Sequence, residues 1–278
     1  VLSSVSASLA SSAVASAEHR QARRESFEVA HVTIALEHLD PAHDGVVVAQ
    51  LSDLHIGSGA PDGRIIAAVN ALNEARPDVA VLTGDFVTNR FDPYERVPQL
   101  LERIDVQAWA VLGNHDHWSD AEAVSKGLLR ANIGVLRNQH TTLQLRGVPF
   151  SVVGIDDSTT KNDDVAAAFK GTHTHRSRLV LTHTPSCAGK LPAWEDLLCL
   201  SGHTHGGQWD VPRLTEGVFR RVGQPWYRGH YRVRGNQLYV NRGLGFGRGT
   251  RLPRLNTEPE LTLITLRHAE PTGSPRQG

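Results

Sequence analysis

Five short polar signatures hold the residues best able to do chemistry in this chain. They are Asp53-Leu54-His55, Gly84-Asp85, Gly113-Asn114-His115-Asp116, His183 and Gly202-His203-Thr204-His205. Carboxylate, imidazole and amide oxygen together suit Mn, Fe or Zn, with no thiolate preference. Asp53 and His55 alternate around Leu54, which in an extended segment sends both side chains to one side. Thr204 separates His203 and His205 in the same way, although a turn there would splay them toward two metals. Glycines at 57, 84, 113, 202, 206 and 207 allow tight backbone turns near ions. Taken singly, a D-x-H is more often a surface pair, and a strand-end Asp is often a helix cap. Five signatures in one order, each behind an apolar run, are far more specific than any member alone.

The apolar runs are the elements that must position these residues. Val29 to Leu36, Val46 to Leu51, Val79 to Thr83 and Trp109 to Leu112 read as strands. Between and after them, Arg64 to Ala75 (Ile65, Ile66, Val69 and Leu72 on one face), Val97 to Ile104 and Ala121 to Ala131 read as helices. This alternation predicts βαβ units with parallel strands. Asp53 to Asp85 spans 32 residues and Asp85 to Asn114 spans 29, about one such unit each. Successive strand ends then lie side by side, and sites form outside the carboxyl ends of such strands. Further on, Gly134 to Arg137, Thr141 to Leu145 and Phe150 to Ile155 follow closely and suggest antiparallel pairing. Asp164 to Phe169 reads as a short helix. Leu179 to Thr182, Leu197 to Ser201, Leu238 to Asn241 and Glu260 to Leu266 read as strands, whereas Gln208 to Asn236 reads as irregular. The sum is a mixed α/β domain of two packed sheets with helices outside.

The five motifs, complete and in order, resemble the calcineurin-like metallophosphoesterase superfamily. The strings Leu51-Ser52-Asp53-Leu54-His55-Ile56-Gly57, Gly202 to Gln208 and Tyr239 to Gly245 look like its bacterial YkuE/YaeI-like phosphodiesterase branch. The resemblance covers about Phe27 to Arg267. It implies a four-layer α/β/β/α sandwich of two mixed sheets and a dinuclear metal centre, with Mn favoured and Fe or Zn as alternatives. Carried over by motif, Asp53, His55 and His205 would hold one metal. Asn114, His183 and His203 would hold the second, and Asp85 would bridge them. His115 would be the catalytic acid, and Asp116 would orient it. The implied reaction is hydrolysis of a phosphodiester or pyrophosphate bond by metal-activated hydroxide, on a phosphorylated small-molecule, nucleotide or lipid-linked substrate. A phosphomonoesterase or protein phosphatase is the alternative within hydrolases. A non-catalytic metal-binding scaffold is the alternative of another class, and intact His115 and Asp116 argue against it. The lack of a long helical insertion leaves the metals open and fits a bulky or membrane-borne diester.

The remaining features bear on partners and place. Lys+Arg and Asp+Glu are 29 each, so the diffuse basic surplus of a nucleic-acid duplex binder is missing. Cys187 and Cys199 lack metal or redox spacing and read as buried thiols. Val1 to Ala17 is Val, Leu, Ser and Ala only, and ends in a small-residue, cleavage-like Ala15-Ser16-Ala17. Residues 1–26 are therefore expected to be a leader or anchor remnant, 27–267 the catalytic domain and 268–278 a disordered tail. Arg20, Arg23 and Arg24 behind an anchor would favour a membrane-associated domain facing the cytoplasm, with an exported form as the other outcome. After the last histidines, arginines alternate with aromatics. Trp209, Tyr227, Arg228 and Arg242 are the expected substrate contacts, and the same segment is a candidate for peripheral membrane contact. His117 reads as an exposed loop residue, and His173 and His175 as surface residues. The glycines at 243, 245, 247 and 249 lack the helix and acidic residue of a dinucleotide fingerprint.

Overall fold

Alternating side chains on short strands explain how this chain makes two sheets and three apolar layers. The computed structural model describes residues 25–57, 59–172, 177–211, 213–246 and 254–270. The first sheet holds β1 (Glu28–Leu36), β2 (Val47–Leu51), β3 (Val79–Thr83), β4 (Ala108–Val111), β5 (Ile133–Val135) and β12 (Glu260–His268). Its order is β1-β12-β2-β3-β4-β5. The second holds β6 (Gln139–Leu145), β7 (Val148–Gly154), β8 (Ser177–Leu181), β9 (Leu198–Ser201), β10 (Gly229–Val233) and β11 (Asn236–Val240). Its order is β10-β11-β9-β8-β7-β6. Strands β2 to β5 run parallel, as do β7, β8, β9 and β11.

Val48, Val79 and Val81 meet Leu179, Leu181, Leu198 and Leu200 between the sheets. Their neighbours Ala49, Leu51, Ala80 and Leu82 point the other way, onto Ile65, Val69, Leu72, Leu101 and Leu128. These last residues come from α1 (Asp62–Ala75), α2 (Arg96–Leu101) and α4 (Ala121–Arg130). On the far face, Val180 and Cys199 pack with Ala168 of α5 (Val165–Phe169) and with Cys187. Strands covered on both faces carry apolar residues at every position, and the expected α/β/β/α sandwich is the observed architecture. On α1, Ile66 departs from the expected face and is exposed.

Four elements differ from the sequence expectation. β5 pairs parallel with β4, with Ala108 opposite Ile133, instead of antiparallel with β6. The chain changes sheets after β5, which proximity along the sequence does not reveal. Asn114–Ser119 is a helix, α3, although it lacks an apolar period. The segment expected to be irregular contains α6 (Leu214–Arg221) and β10. Arg234 and Gly235, both with positive φ, close a two-residue hairpin from β10 to β11. β12 runs to His268, whose Nδ1 donates to the Leu39 carbonyl at 2.9 Å. Residues 1–24 and 271–278 lie outside the described residues, and so do His173, His175, Gly247 and Gly249. Among the described residues no helix is long and apolar enough to cross a membrane.

Candidate metal centre

The five signatures leave the carboxyl ends of β2, β3, β4, β8 and β9. The backbone there is not extended, contrary to the expectation for Asp53-Leu54-His55. Asp53 (φ 51°), His55 (φ 47°), Asp85 (φ 57°), His203 (φ 71°) and His205 (φ 50°) are all left-handed. For a non-glycine residue this costs on the order of 1 kcal/mol or more and persists only where the surroundings impose it. Here they do. The Asp53 N–H donates to the Gly84 carbonyl at 2.9 Å, and the His55 N–H to the Asp85 carbonyl at 3.0 Å. Gly202 brings the second sheet against the first, since a Cβ there would overlap Ser52 Oγ. Beside it, the His203 N–H donates to Asp53 Oδ2 at 3.0 Å.

Two ligand groups result. Asp53, His55 and His205 offer atoms within 4.8 Å of one another, and so do Asp85, His183 and His203. The turn at Thr204 thus divides His203 and His205 between the groups. Asp85 joins them: its Oδ2 lies 3.2 Å from His183 Nε2 and 3.7 Å from His55 Nε2. Asn114 opens α3 and lines the same cavity as Asp85 and His203. Its buried Oδ1 has no hydrogen-bond partner. An unpartnered amide oxygen beside carboxylates and imidazoles fits oxygen- and nitrogen-seeking divalent cations.

The imidazoles are prepared for that role. His183 Nδ1 lies 2.7 Å from the Thr83 carbonyl, so Nδ1 carries the proton and Nε2 presents a lone pair. Thr88 Oγ1 meets His55 Nδ1 at 3.0 Å. Burial lowers His55 to about 4 and His203 to about 4, and it holds His205 well below the ordinary imidazole value. Burial also acts against charge on His183, but the Asp85 carboxylate overrides it and raises His183 well above that value. Asp85 itself stays well below the usual carboxylate range; burial opposes this, and the facing His183 outweighs it. Burial raises Asp53 to about 6. A place that draws a proton between an imidazole and a carboxylate is one where a cation competes for the same atoms.

His115 lines this cavity, whose volume is about 420 Å³. Its Nδ1 lies 2.7 Å from the Thr88 carbonyl, which puts the proton there and leaves Nε2 to exchange one. Asp116 does not orient it. The Asp116 oxygens accept N–H bonds from Gly113 and Asp85 at 2.9 Å, Phe86 at 2.8 Å and Val87 at 3.2 Å. Asp116 therefore ties the loops after β3 and β4 together, and Thr88 positions the histidine. His117 is also not an exposed loop residue. It is half-buried in α3, with Nε2 2.6 Å from buried Asp156 Oδ1. Asp156 Oδ2 in turn accepts from Arg137 Nε at 3.0 Å.

The four expected substrate contacts do not line the cavity. Arg228 pairs with buried Asp210 at 2.7 Å. Arg242 pairs with Glu260 and with Glu28. Tyr227 is buried against Phe219, with ring centroids 5.2 Å apart, and Trp209 projects outward. The lining instead includes Trp118, Thr159, Gln208 and Phe219. Trp118 packs against the His115 ring with centroids 5.0 Å apart. Thr159 reaches Thr184 Oγ1 at 2.9 Å, and Thr184 donates to Asp157 at 2.8 Å. Arg254, also unanticipated, donates to the Arg242 carbonyl at 2.7 Å and approaches His205 Nδ1 at 3.2 Å. Three of these had a local signal: Gln208 closes the Gly202-to-Gln208 string, Phe219 belongs to the aromatic run after the last histidines, and Trp118 follows the Gly113-to-Asp116 signature by two residues. The others become visible only once the sheets are packed.

Residues 46–207 match the calcineurin-like phosphoesterase family. The chain is 32% identical over 248 residues to "Uncharacterized metallophosphoesterase YkuE" of Bacillus subtilis, covering 87% of this chain and 86% of the relative. It is 30% identical to "Phosphodiesterase YaeI" of Escherichia coli, covering 78% and 80%. It is 25% identical to "UDP-2,3-diacylglucosamine pyrophosphatase LpxG" of Chlamydia trachomatis, covering 79% and 83%. Among solved structures, a 5'-nucleotidase precursor from Thermus thermophilus aligns with a TM-score of 0.51 at 13% identity, covering 81% of this chain and 54% of that one, a likeness of fold.

Proposed function

The chain belongs to the calcineurin-like phosphoesterase family and is a phosphoric ester hydrolase, and on that premise we propose that it cleaves a phosphodiester or pyrophosphate bond at a dinuclear centre. The observation that carries this reading is the meeting of the two ligand groups at Asp85, beneath the cavity lined by His115. Asp53, His55 and His205 would hold one divalent ion. Asn114, His183 and His203 would hold the other, with Asp85 shared and manganese the favoured metal. Two such ions, when bound, supply positive charge for phosphate oxygens and a hydroxide nucleophile near neutral pH.

The protein's own groups do the rest. As the bond from phosphorus to the leaving oxygen breaks, that oxygen gains charge and takes a proton from His115. For this step His115 Nε2 must be protonated, with Nδ1 held by the Thr88 carbonyl. Trp118 and Phe219 exclude water from the cavity sides. No lysine or arginine lines the cavity among the described residues, because the nearby Arg228 and Arg242 are committed to carboxylates. A singly charged diester therefore suits it better than a doubly charged monoester, whose extra charge would call for a guanidinium clamp. The relatives' names, phosphodiesterase and lipid-nucleotide pyrophosphatase, support the same class and a lipid-linked or nucleotide substrate.

The test is turnover of bis-p-nitrophenyl phosphate against p-nitrophenyl phosphate with Mn, Fe or Zn. A diester preference of about tenfold or more in kcat/KM is expected. His115→Asn should lower the rate roughly 10²–10⁴-fold with metal retained, the usual range for loss of a general acid. A monoester preference would replace the diester reading. Metal binding with neither substrate turned over would make the protein a binding scaffold.

A further inference from the structure

Helix α6 has more apolar surface than the fold uses. Its inner side is packed: Thr215 is buried, and Phe219 stacks on Tyr227 while lining the metal cavity. Next to that side, Leu214, Val218 and Val222 recur every four residues and form one row. The row faces out, with Leu214 65%, Val218 53% and Val222 65% exposed. Trp209 extends it at 50% exposure, held to the start of α6 because the Thr215 hydroxyl donates to the Trp209 carbonyl at 3.0 Å. Water-facing clusters of this kind on one element mark a contact surface.

Two further observations identify the occupant. Arg213 and Arg221 of the same segment are exposed and flank the aliphatic row, while Arg220 pairs with Glu216 on the same helix at 2.8 Å. This composition of aliphatic row, Trp and flanking arginines suits the boundary between acyl chains and anionic headgroups. Finally, α6 forms the rim of the cavity through Phe219, and Trp118, 60% exposed, stands on the rim as well.

We propose that α6 and Trp209 dock the enzyme peripherally on an anionic lipid bilayer, which turns the mouth of the metal cavity toward the headgroup layer. The aliphatic row enters the interface, and Arg213 and Arg221 sit on lipid phosphates. The proposal depends on this face alone and not on which phosphoester is cleaved.

The experiment is flotation of the full chain with vesicles of phosphatidylcholine alone or mixed with phosphatidylglycerol, at low and high salt. Partition onto the mixed vesicles should be about tenfold stronger, because each arginine near an anionic surface adds to the attraction, and should weaken with salt. Leu214→Glu with Val218→Glu should abolish it while leaving bis-p-nitrophenyl phosphate turnover unchanged. Arg213→Gln with Arg221→Gln should remove the preference for anionic vesicles. Absence of partition onto either vesicle would overturn the proposal, as would partition indifferent to both variants. Loss of turnover in the glutamate variant would return the row to the catalytic site. If sedimentation shows a dimer that this variant dissociates, the face joins two copies of the chain and the bilayer is excluded.

Discussion

The floor of the cavity and its rim are built by opposite means. On the floor, each candidate ligand follows a buried strand, and most adopt a backbone conformation that other loops impose. Asp53, His55, Asp85, His203 and His205 all carry positive φ, and the N–H groups of Asp53, His55 and His203 donate to oxygens of neighbouring loops. The rim draws on distant segments, Trp118 of α3 and Phe219 of α6, while Arg228 and Arg242 nearby are tied to Asp210, Glu260 and Glu28. Chemistry that needs several donors around one point leaves short motifs at fixed places. Surface that only has to admit a substrate is assembled from whatever the fold brings near.

The largest expected effect lies where the floor's two halves join. Asp85→Asn keeps the size of the side chain and removes the charge that faces His183 and His55. Activity on the diester should fall about 10³-fold or more, the scale of several kcal/mol of charge stabilisation. Metal content measured on the purified variant should fall with it. A variant that keeps both metals and most of its rate would show that the halves work without a shared carboxylate, and the distinction between floor and rim would lose its centre.

A smaller effect tests whether the floor extends into its supports. Thr88 serves two histidines by different atoms: its hydroxyl meets His55 Nδ1, and its carbonyl holds His115. Thr88→Val removes only the first contact. Metal affinity, read by titration calorimetry, should drop roughly 10–100-fold, as for other partners of metal-binding histidines. The rate at saturating metal should change little, because the carbonyl still holds His115. A lower rate at saturating metal with unchanged metal affinity would reverse the two assignments. Thr88→Ser should restore affinity.

Thr88 also marks the limit of what residue types along the chain reveal. The seven candidate ligands and His115 stand out because residue type and strand-end position alone distinguish them. The central strands β2, β3, β4, β8 and β9 are legible because burial on both faces leaves continuous apolar runs, whereas β10, half-exposed, is not. Asp116 defeats the same reasoning because a residue next to a histidine in sequence need not touch it: four backbone amides, three from the loop after β3, claim its oxygens. Helix α3 is hidden because those same bonds, and no apolar period, hold its first turn. Arg228 and Arg242 mislead because their acidic partners lie 18 residues away in one case and on other strands in the other. Pairings of that kind exist only in the folded chain.

The rim has an anchor of its own, separate from the floor. His117, next to the rim residue Trp118, donates from Nε2 to Asp156 beyond β7 and so ties α3 to the second sheet. Burial alone would lower this histidine, but the hydrogen bond and charge of Asp156 raise it above the ordinary value of 6.5. A raised histidine gives stability that is complete below the unfolded value and is lost as pH rises through the folded one. His117→Gln should therefore cost about 2 kcal/mol near pH 6, the scale of a hydrogen bond to a charged group, and clearly less near pH 9. Denaturant unfolding at the two pH values checks this. Diester turnover at saturating metal should change little, since Thr88 and Asp116 hold the floor without His117. If stability were lost equally at both pH values, the pair would act as a neutral hydrogen bond. If turnover fell with stability, floor and rim would share one support, and the separation drawn between them would fail at α3, the helix that carries residues of both.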